Sequence, residues 1–152
     1  MSSFKRVILL GPPASGKGTQ AKHIGKTLSL PILGTGNLLR QAVEDQTDLG
    51  KQVQEFIENG HYVPDSLVED LVKDWVEKQK GNWIFDGFPR TQQQADFITQ
   101  TEGLASPDLV IGLDVPVEEL ERRINCRRQC RKCDAVTSTF IHPLPILSLI
   151  HI

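Results

Sequence analysis

Gly11, Gly16 and Lys17 stand at the spacing G-x-x-x-x-G-K inside "VILLGPPASGKGTQ". Small residues there let backbone N–H groups approach phosphate oxygens, and a helix opening at Lys17 would favour negative charge at its N-terminus. Lys17 is placed to reach terminal phosphates, and Ala14, Ser15, Gly16, Gly18 and Thr19 would complete the cradle. The strict pattern has Ser or Thr directly after the lysine; here Gly18 intervenes and Thr19 supplies the next hydroxyl. The bland alternative is a Gly/Pro-rich turn joining a strand to a helix. Other residues suit charge handling: Arg40 in "GTGNLLR", Asp86 and Arg90 in "FDGFPR", and Arg123 and Arg127 in "ERRINCRR". Each arginine, taken alone, also reads as a solvated charge.

The elements that must position these groups alternate. "RVILL" reads as a buried strand, and residues 17–28 as a helix with Ala21, Ile24 and Leu28 on one face. "LPILGTG" is a short strand, followed by a helix over "NLLRQAVED" with Asn37 as its N-cap. Residues 50–59 form another helix closed by Gly60, and Asp65 caps the helix "SLVEDLVKDWVEKQK". "NWIFD" is a strand, "TQQQADFITQT" a helix and "DLVIGLDV" a fourth strand, after which Pro116 opens the helix "VEELERRI". Alternation of this kind predicts an α/β fold with an open parallel sheet flanked by helices.

At 152 residues the chain can bury a real core, and a net charge of −2 gives no global pull toward nucleic acid or a membrane surface. The N-terminal apolar run is too short for a signal sequence, and no stretch approaches a membrane span, so a cytoplasmic location is expected. Cys126, Cys130 and Cys133 all fall in "CRRQCRKC", which suits a metal half-site or reduced thiols better than a disulfide framework.

The stretches "LLGPPASGKGTQ", "GTGNLLR", "GHYVPDSLV", "FDGFPRTQQQAD", "DLVIGLDVP" and "ERRINCRRQCRKC" occur in the order and at the spacing of one family. The chain resembles the adenylate kinases, within the nucleoside monophosphate kinases, from Val7 to about Cys133. The resemblance implies a P-loop NTPase-type core over residues 1–33 and 64–125, a helical monophosphate-binding insertion over 34–63 and the start of a lid over 126–140. It implies reversible phosphoryl transfer from MgATP to AMP, giving two ADP, by a monomer with no nucleic-acid or membrane partner. Lys17, Arg90, Arg123 and Arg127 would be catalytic, the last two as lid-hinge arginines on the ATP side, sharing a helix face if the helix persists to Arg127. Thr35 would contact the adenine region and Arg40 the AMP phosphate. His61, Tyr62 and Val63 would pack their backbone on the adenine, with Gly87, Phe88, Pro89 and Arg90 around AMP. Gln94, on one helix face with Arg90, would hydrogen-bond the base, while Gln92 and Gln93 point elsewhere. Asp86 would organise magnesium through water.

The sequence departs from the family's pattern in several places. Gly34 stands where Ser is usual and Asn37 where Asp is usual. Thr35 favours AMP over pyrimidine nucleotides, since pyrimidine-type relatives tend to carry Ala there; a pyrimidine nucleoside monophosphate kinase is the alternative within enzymes. Cys130 and Cys133 look like half of a zinc-bearing lid, but no second pair follows, and the substitutes Cys126 and His142 have improvised spacing. Zinc is therefore compatible with a full-length lid and not expected here. The final "IHPLPILSLIHI", residues 141–152, matches no family element. The expectation is a truncated or foreign end, lacking the rest of the lid and two later arginines, so that these 152 residues alone turn over little or not at all. A nucleotide-binding remnant without turnover is the alternative outside enzymes.

Overall fold

The computed structural model describes residues 4–79, 81–129 and 136–138. They fall into two compact units: one runs to Leu10 and from Lys17 to Gly112, the other combines Gly11–Gly16 with residues from Leu113 on.

The first unit is built on a four-stranded parallel sheet. Its strands are β1 (Arg6–Leu10), β2 (Ile32–Gly34), β3 (Trp83–Asp86) and β4 (Leu109–Gly112), ordered β2-β3-β1-β4. Side chains alternate across the pleat, so each strand feeds two layers. Val7, Leu9 and Ile84 pack on Ala21 and Ile24 of helix α1 (Lys17–Leu28). On the other face, Ile8, Leu33, Trp83 and Phe85 pack on Val68, Val72 and Val76 of α4 (Asp65–Glu77) and Ile98 of α5 (Gln92–Gln100). Trp83 stacks on Phe85 with centroids 3.9 Å apart. Each fully buried Leu, Ile or Phe stabilises the unit by roughly 1.5–3 kcal/mol. The apolar stripe foreseen on α4 is present, with Trp75 half-buried beside it.

Between β2 and α4 lie α2 (Thr35–Glu44) and α3 (Asp48–Glu58), which bury Ala42 and Val53 against Leu71. They approach so closely at Gly50 that an added Cβ would lie 1.8 Å from the Ala42 carbonyl oxygen. The register sets Gly34 and Leu9 level with Asp86, so β1, β2 and β3 all end at one edge of the sheet. Open α/β sheets place ligand groups at that edge.

The second unit contains α6 (Val117–Cys126) and an antiparallel pair, β5 (Arg127–Gln129) with β6 (Val136–Ser138). Gly11 has φ +150°, and an added Cβ there would meet the Leu113 carbonyl oxygen at 2.8 Å, which fixes the residue type. Among the described residues no helix is long and apolar enough to cross a membrane.

Several local expectations shift. Gly34, not Asn37, caps α2, and Pro64, not Asp65, precedes α4, so both side chains are released from capping. α3 begins at Asp48, capped by Thr47, whose hydroxyl accepts from Gly50 N at 2.9 Å. Pro116 occupies the cap position of α6 rather than its first turn. α6 stops at Cys126 and Arg127 turns extended, with ψ 132°, so Arg123 and Arg127 share no helix face. Residues 130–135 and 139–152, including Cys130, Cys133 and His142, lie outside the described residues.

Candidate functional site

In the first unit, the residues after β2 and β3 meet. Thr35 opens α2 directly after Gly34 and is buried. After Asp86, Gly87 turns with φ +78°, and the chain passes the buried Phe88 and the cis Phe88–Pro89 bond to reach Arg90. Arg90 Nε donates to Gly87 O at 2.7 Å, and Nη2 donates to Thr35 Oγ1 at 3.0 Å. An added Cβ at Gly87 would lie 3.2 Å from Arg90 Nη2, so glycine lets the guanidinium lie along the loop. A guanidinium carries five N–H donors. Two are committed to these anchors, which leave the others for a planar, anionic partner.

Gln94 is buried beside Arg90. Its Oε1 accepts from Arg90 N at 2.7 Å, and its Nε2 donates to Asp65 Oδ1 at 2.7 Å. The other Asp65 oxygen accepts from Thr91 Oγ1 at 2.7 Å, while Thr91 Oγ1 caps α5 by accepting from Gln94 N at 3.2 Å. Arg90 precedes α5 by two residues, so it and Gln94 do not share a helix face; a backbone-to-side-chain bond joins them instead. Gln92 and Gln93 are exposed and bond Asp96 and Glu69. Sequence reading missed Asp65. Its pairing spans 29 positions to Gln94 and has no local signature.

Arg40 lies on α2 and donates through Nη2 to Asn37 Oδ1. Because α2 starts at Thr35, Asn37 lies inside the helix and faces Arg40 as an i,i+3 pair. A cavity of about 200 Å³ opens beside it, lined by Gly34, Asn37, Leu38 and Gln41. Val63 packs into the core, whereas His61 and Tyr62 project into solvent, Tyr62 completely. A larger groove of about 550 Å³, lined by Ser29, Lys78 and Asn82 among others, holds none of the predicted residues.

Lys17, Gly18 and Thr19 form the first turn of α1. A Cβ on Gly18 would stand 3.2 Å from Asp86 Oδ2, so the absent side chain lets the helix start close to the carboxylate. Asp86 therefore offers hard oxygens next to a helix N-terminus, a donor set suited to magnesium bound chiefly by water and phosphate. Among the described residues, no group of three or more His, Cys, Asp or Glu is arranged to hold a metal ion alone.

In the second unit, the loop of Gly11–Gly16 turns through Ala14 at φ 63° and Gly16 at φ 100°. Ser15 N donates to Pro12 O at 3.2 Å, while the buried Ser15 Oγ has no hydrogen-bond partner. A buried hydroxyl left in this way fits a loop shaped around a polar ligand. Arg123 joins the same loop, its Nη1 donating to Ala14 O at 3.4 Å. Glu119 orients it, accepting from Arg123 Nε at 2.7 Å and from Arg122. Hydrogen bonds from Arg122 first and Arg123 second hold the Glu119 carboxyl below the usual range. Glu119 was also missed, though its i,i+4 spacing to Arg123 was readable.

A family model described as adenylate kinase matches residues 9–140. Curated relatives named adenylate kinase include one from Caldicellulosiruptor bescii, 40% identical over 142 residues, covering 91% of this chain and 66% of that protein. One from Archaeoglobus fulgidus is 44% identical over 135 residues, covering 86% and 62%. A third, from Kosmotoga olearia, is 46% identical over 134 residues, again covering 86% and 62%. The chain thus spans about two thirds of the length of these relatives.

Proposed function

This chain belongs to the adenylate kinase family, and from that premise we propose that it binds ATP and AMP and transfers the terminal phosphoryl group of ATP to AMP. The observation that carries the reading is the Arg90 guanidinium, anchored by Gly87 O and Thr35 Oγ1 beside the buried Gln94 amide. It pairs a phosphate-binding fork with a base-reading amide in one unit, which is the chemistry a nucleoside monophosphate needs.

In this reading Arg90 and Arg40 hold the AMP phosphate, and Thr35, Gln94 and Val63 face its base. His61, Tyr62, Gly87, Phe88 and Pro89 contribute mainly backbone. Residues 34–63 form the monophosphate-binding region, 1–33 with 64–125 the core, and 126–140 the start of a lid. Ala14, Ser15, Gly16, Lys17, Gly18 and Thr19 bind the ATP phosphates, with Arg123 and Arg127 on the same substrate. An AMP phosphate oxygen attacks the γ-phosphorus as the bond to the ADP oxygen breaks. No covalent nucleophile is required, so placed positive charge does the stabilising. Magnesium, held near Asp86 through water, would neutralise phosphate charge. Zinc at Cys130 and Cys133 is no part of the proposed chemistry. A cytoplasmic, monomeric protein without nucleic-acid or membrane partners completes the proposal.

Calorimetry on the full chain separates the two sites. Lys17→Ala should weaken ATP about tenfold or more and spare AMP, and Arg40→Ala should do the reverse, each losing charge-assisted phosphate contacts. A coupled assay of ADP formation from ATP and AMP reads the transfer itself. If each variant weakens both nucleotides alike, the two-site reading is wrong.

A further inference from the structure

We propose that Asp65 is a positioning residue that makes the acceptor site read a 6-amino purine rather than a 6-oxo purine, by preventing the Gln94 amide from turning over. The inference rests on the acceptor-site reading of Gln94 given above.

A free glutamine amide can rotate by 180° and present its acceptor and donor in either order. An adenine Watson–Crick edge offers a 6-amino donor and an N1 acceptor. A hypoxanthine edge offers the opposite order, a 6-oxo acceptor and an N1–H donor. A rotating amide would satisfy both. Here the order is fixed by two partners that hold their roles: the Arg90 backbone N–H can only donate, and both Asp65 carboxylate oxygens accept. Turning the amide would set NH₂ against N–H and carbonyl oxygen against carboxylate, losing both 2.7 Å bonds. Gln94 is buried, so water is poorly placed to replace them. After these bonds, one Nε2–H and one Oε1 lone pair remain, in a fixed order. Asp65 is itself held, because its second oxygen accepts from Thr91 Oγ1 at 2.7 Å. Asp65 need not touch a ligand for this role.

The test is the ratio of AMP to IMP affinity, measured by calorimetry on the full chain. Wild type should prefer AMP. Asp65→Ala should narrow that preference about tenfold, the worth of losing one well-made bond to a charged group. Asp65→Asn, whose amide can turn to donate to a turned Gln94, should narrow it as well, though less, because the Arg90 N–H still opposes the turn. A merely structural role would weaken both nucleotides alike. An unchanged ratio in Asp65→Ala therefore overturns the lock and leaves the acceptor site standing. A wild type that binds AMP and IMP alike also overturns the lock alone, whereas one that binds neither overturns the acceptor-site reading with it. Should Asp65→Ala fail to fold, NMR of the unliganded wild type decides. Slow solvent exchange of a Gln94 side-chain NH₂ proton supports the lock, and fast exchange of both protons refutes it.

Discussion

Arg90→Lys keeps the charge and removes the fork, which makes it the sharpest test of how the acceptor site works. Arg90 spends Nε on Gly87 O and Nη2 on Thr35 Oγ1, and both bonds fix the plane of the remaining donors. A lysine has one nitrogen and cannot hold both anchors while meeting two phosphate oxygens. Each bond from a charged donor is worth about 1.5–3 kcal/mol when shielded. Arg90 is an exposed residue, so the lower end applies to the pair of phosphate bonds. A net loss of about 1.5–2.5 kcal/mol corresponds to AMP binding roughly 10- to 70-fold weaker. The retained ammonium contributes only about 1 kcal/mol through well-hydrated Coulomb attraction, so Arg90→Ala should fall only a further few-fold. The assay is AMP calorimetry on folded variants, with ATP affinity as the internal control. An Arg90→Lys variant binding AMP within about threefold of wild type would show that charge suffices and that the anchored geometry is irrelevant.

Gly50→Ala should destabilise the first unit by about 3 kcal/mol or more, because the added carbon meets the Ala42 backbone at 1.8 Å and the helices must part; thermal unfolding by circular dichroism checks it, and an unchanged midpoint would contradict the packing. Asp108 ties the start of β1 to β4, and the Arg6 hydrogen bond, then the Lys5 backbone N–H, pull its pKa from 3.8 to about 2. Because the folded value is the lower one, its contribution is present above pH 3.8 and fades as pH falls through about 2, so the stability gap between wild type and Asp108→Asn should close over that window; a gap constant with pH argues against the ion pair.

Strands and helices were legible wherever burial imposes a period. "RVILL" lies between a glycine loop and a charged start and forms β1 at the expected residues, and the Leu67–Val76 stripe appears on α4 as spaced. The ends were harder, because capping is decided by single side chains with other uses. Asn37 looks like a cap until Arg40 takes its oxygen, and Asp65 looks like one until Gln94 and Thr91 take both of its oxygens. Periodicity alone would carry α6 through Arg127; the chain instead turns extended there and pairs with Ser138. In the candidate acceptor site, the family resemblance pointed to Thr35, Arg90 and Gln94 as a set. It could not identify their anchors, since the Thr35–Arg90 bond spans 55 positions.

The two parts of the candidate machinery differ in how fully their polar groups are satisfied within the protein. Around Arg90 and Gln94, every named anchor is satisfied inside the protein, so in the proposed function the acceptor groups would be held in place before a nucleotide arrives. Little reorganisation then opposes binding, and preorganisation contributes to affinity. The loop of Gly11–Gly16 departs from local preference instead. Ala14 occupies the left-handed region at φ 63°, at a cost of roughly 1–2 kcal/mol for a residue with a Cβ, and Ser15 Oγ is buried without a partner, at roughly 1–3 kcal/mol more. Costs of this size persist where the conformation itself serves a ligand. In the proposed function, a phosphate group accepting from Ser15 Oγ would remove that penalty, which would couple ATP binding to loop stability.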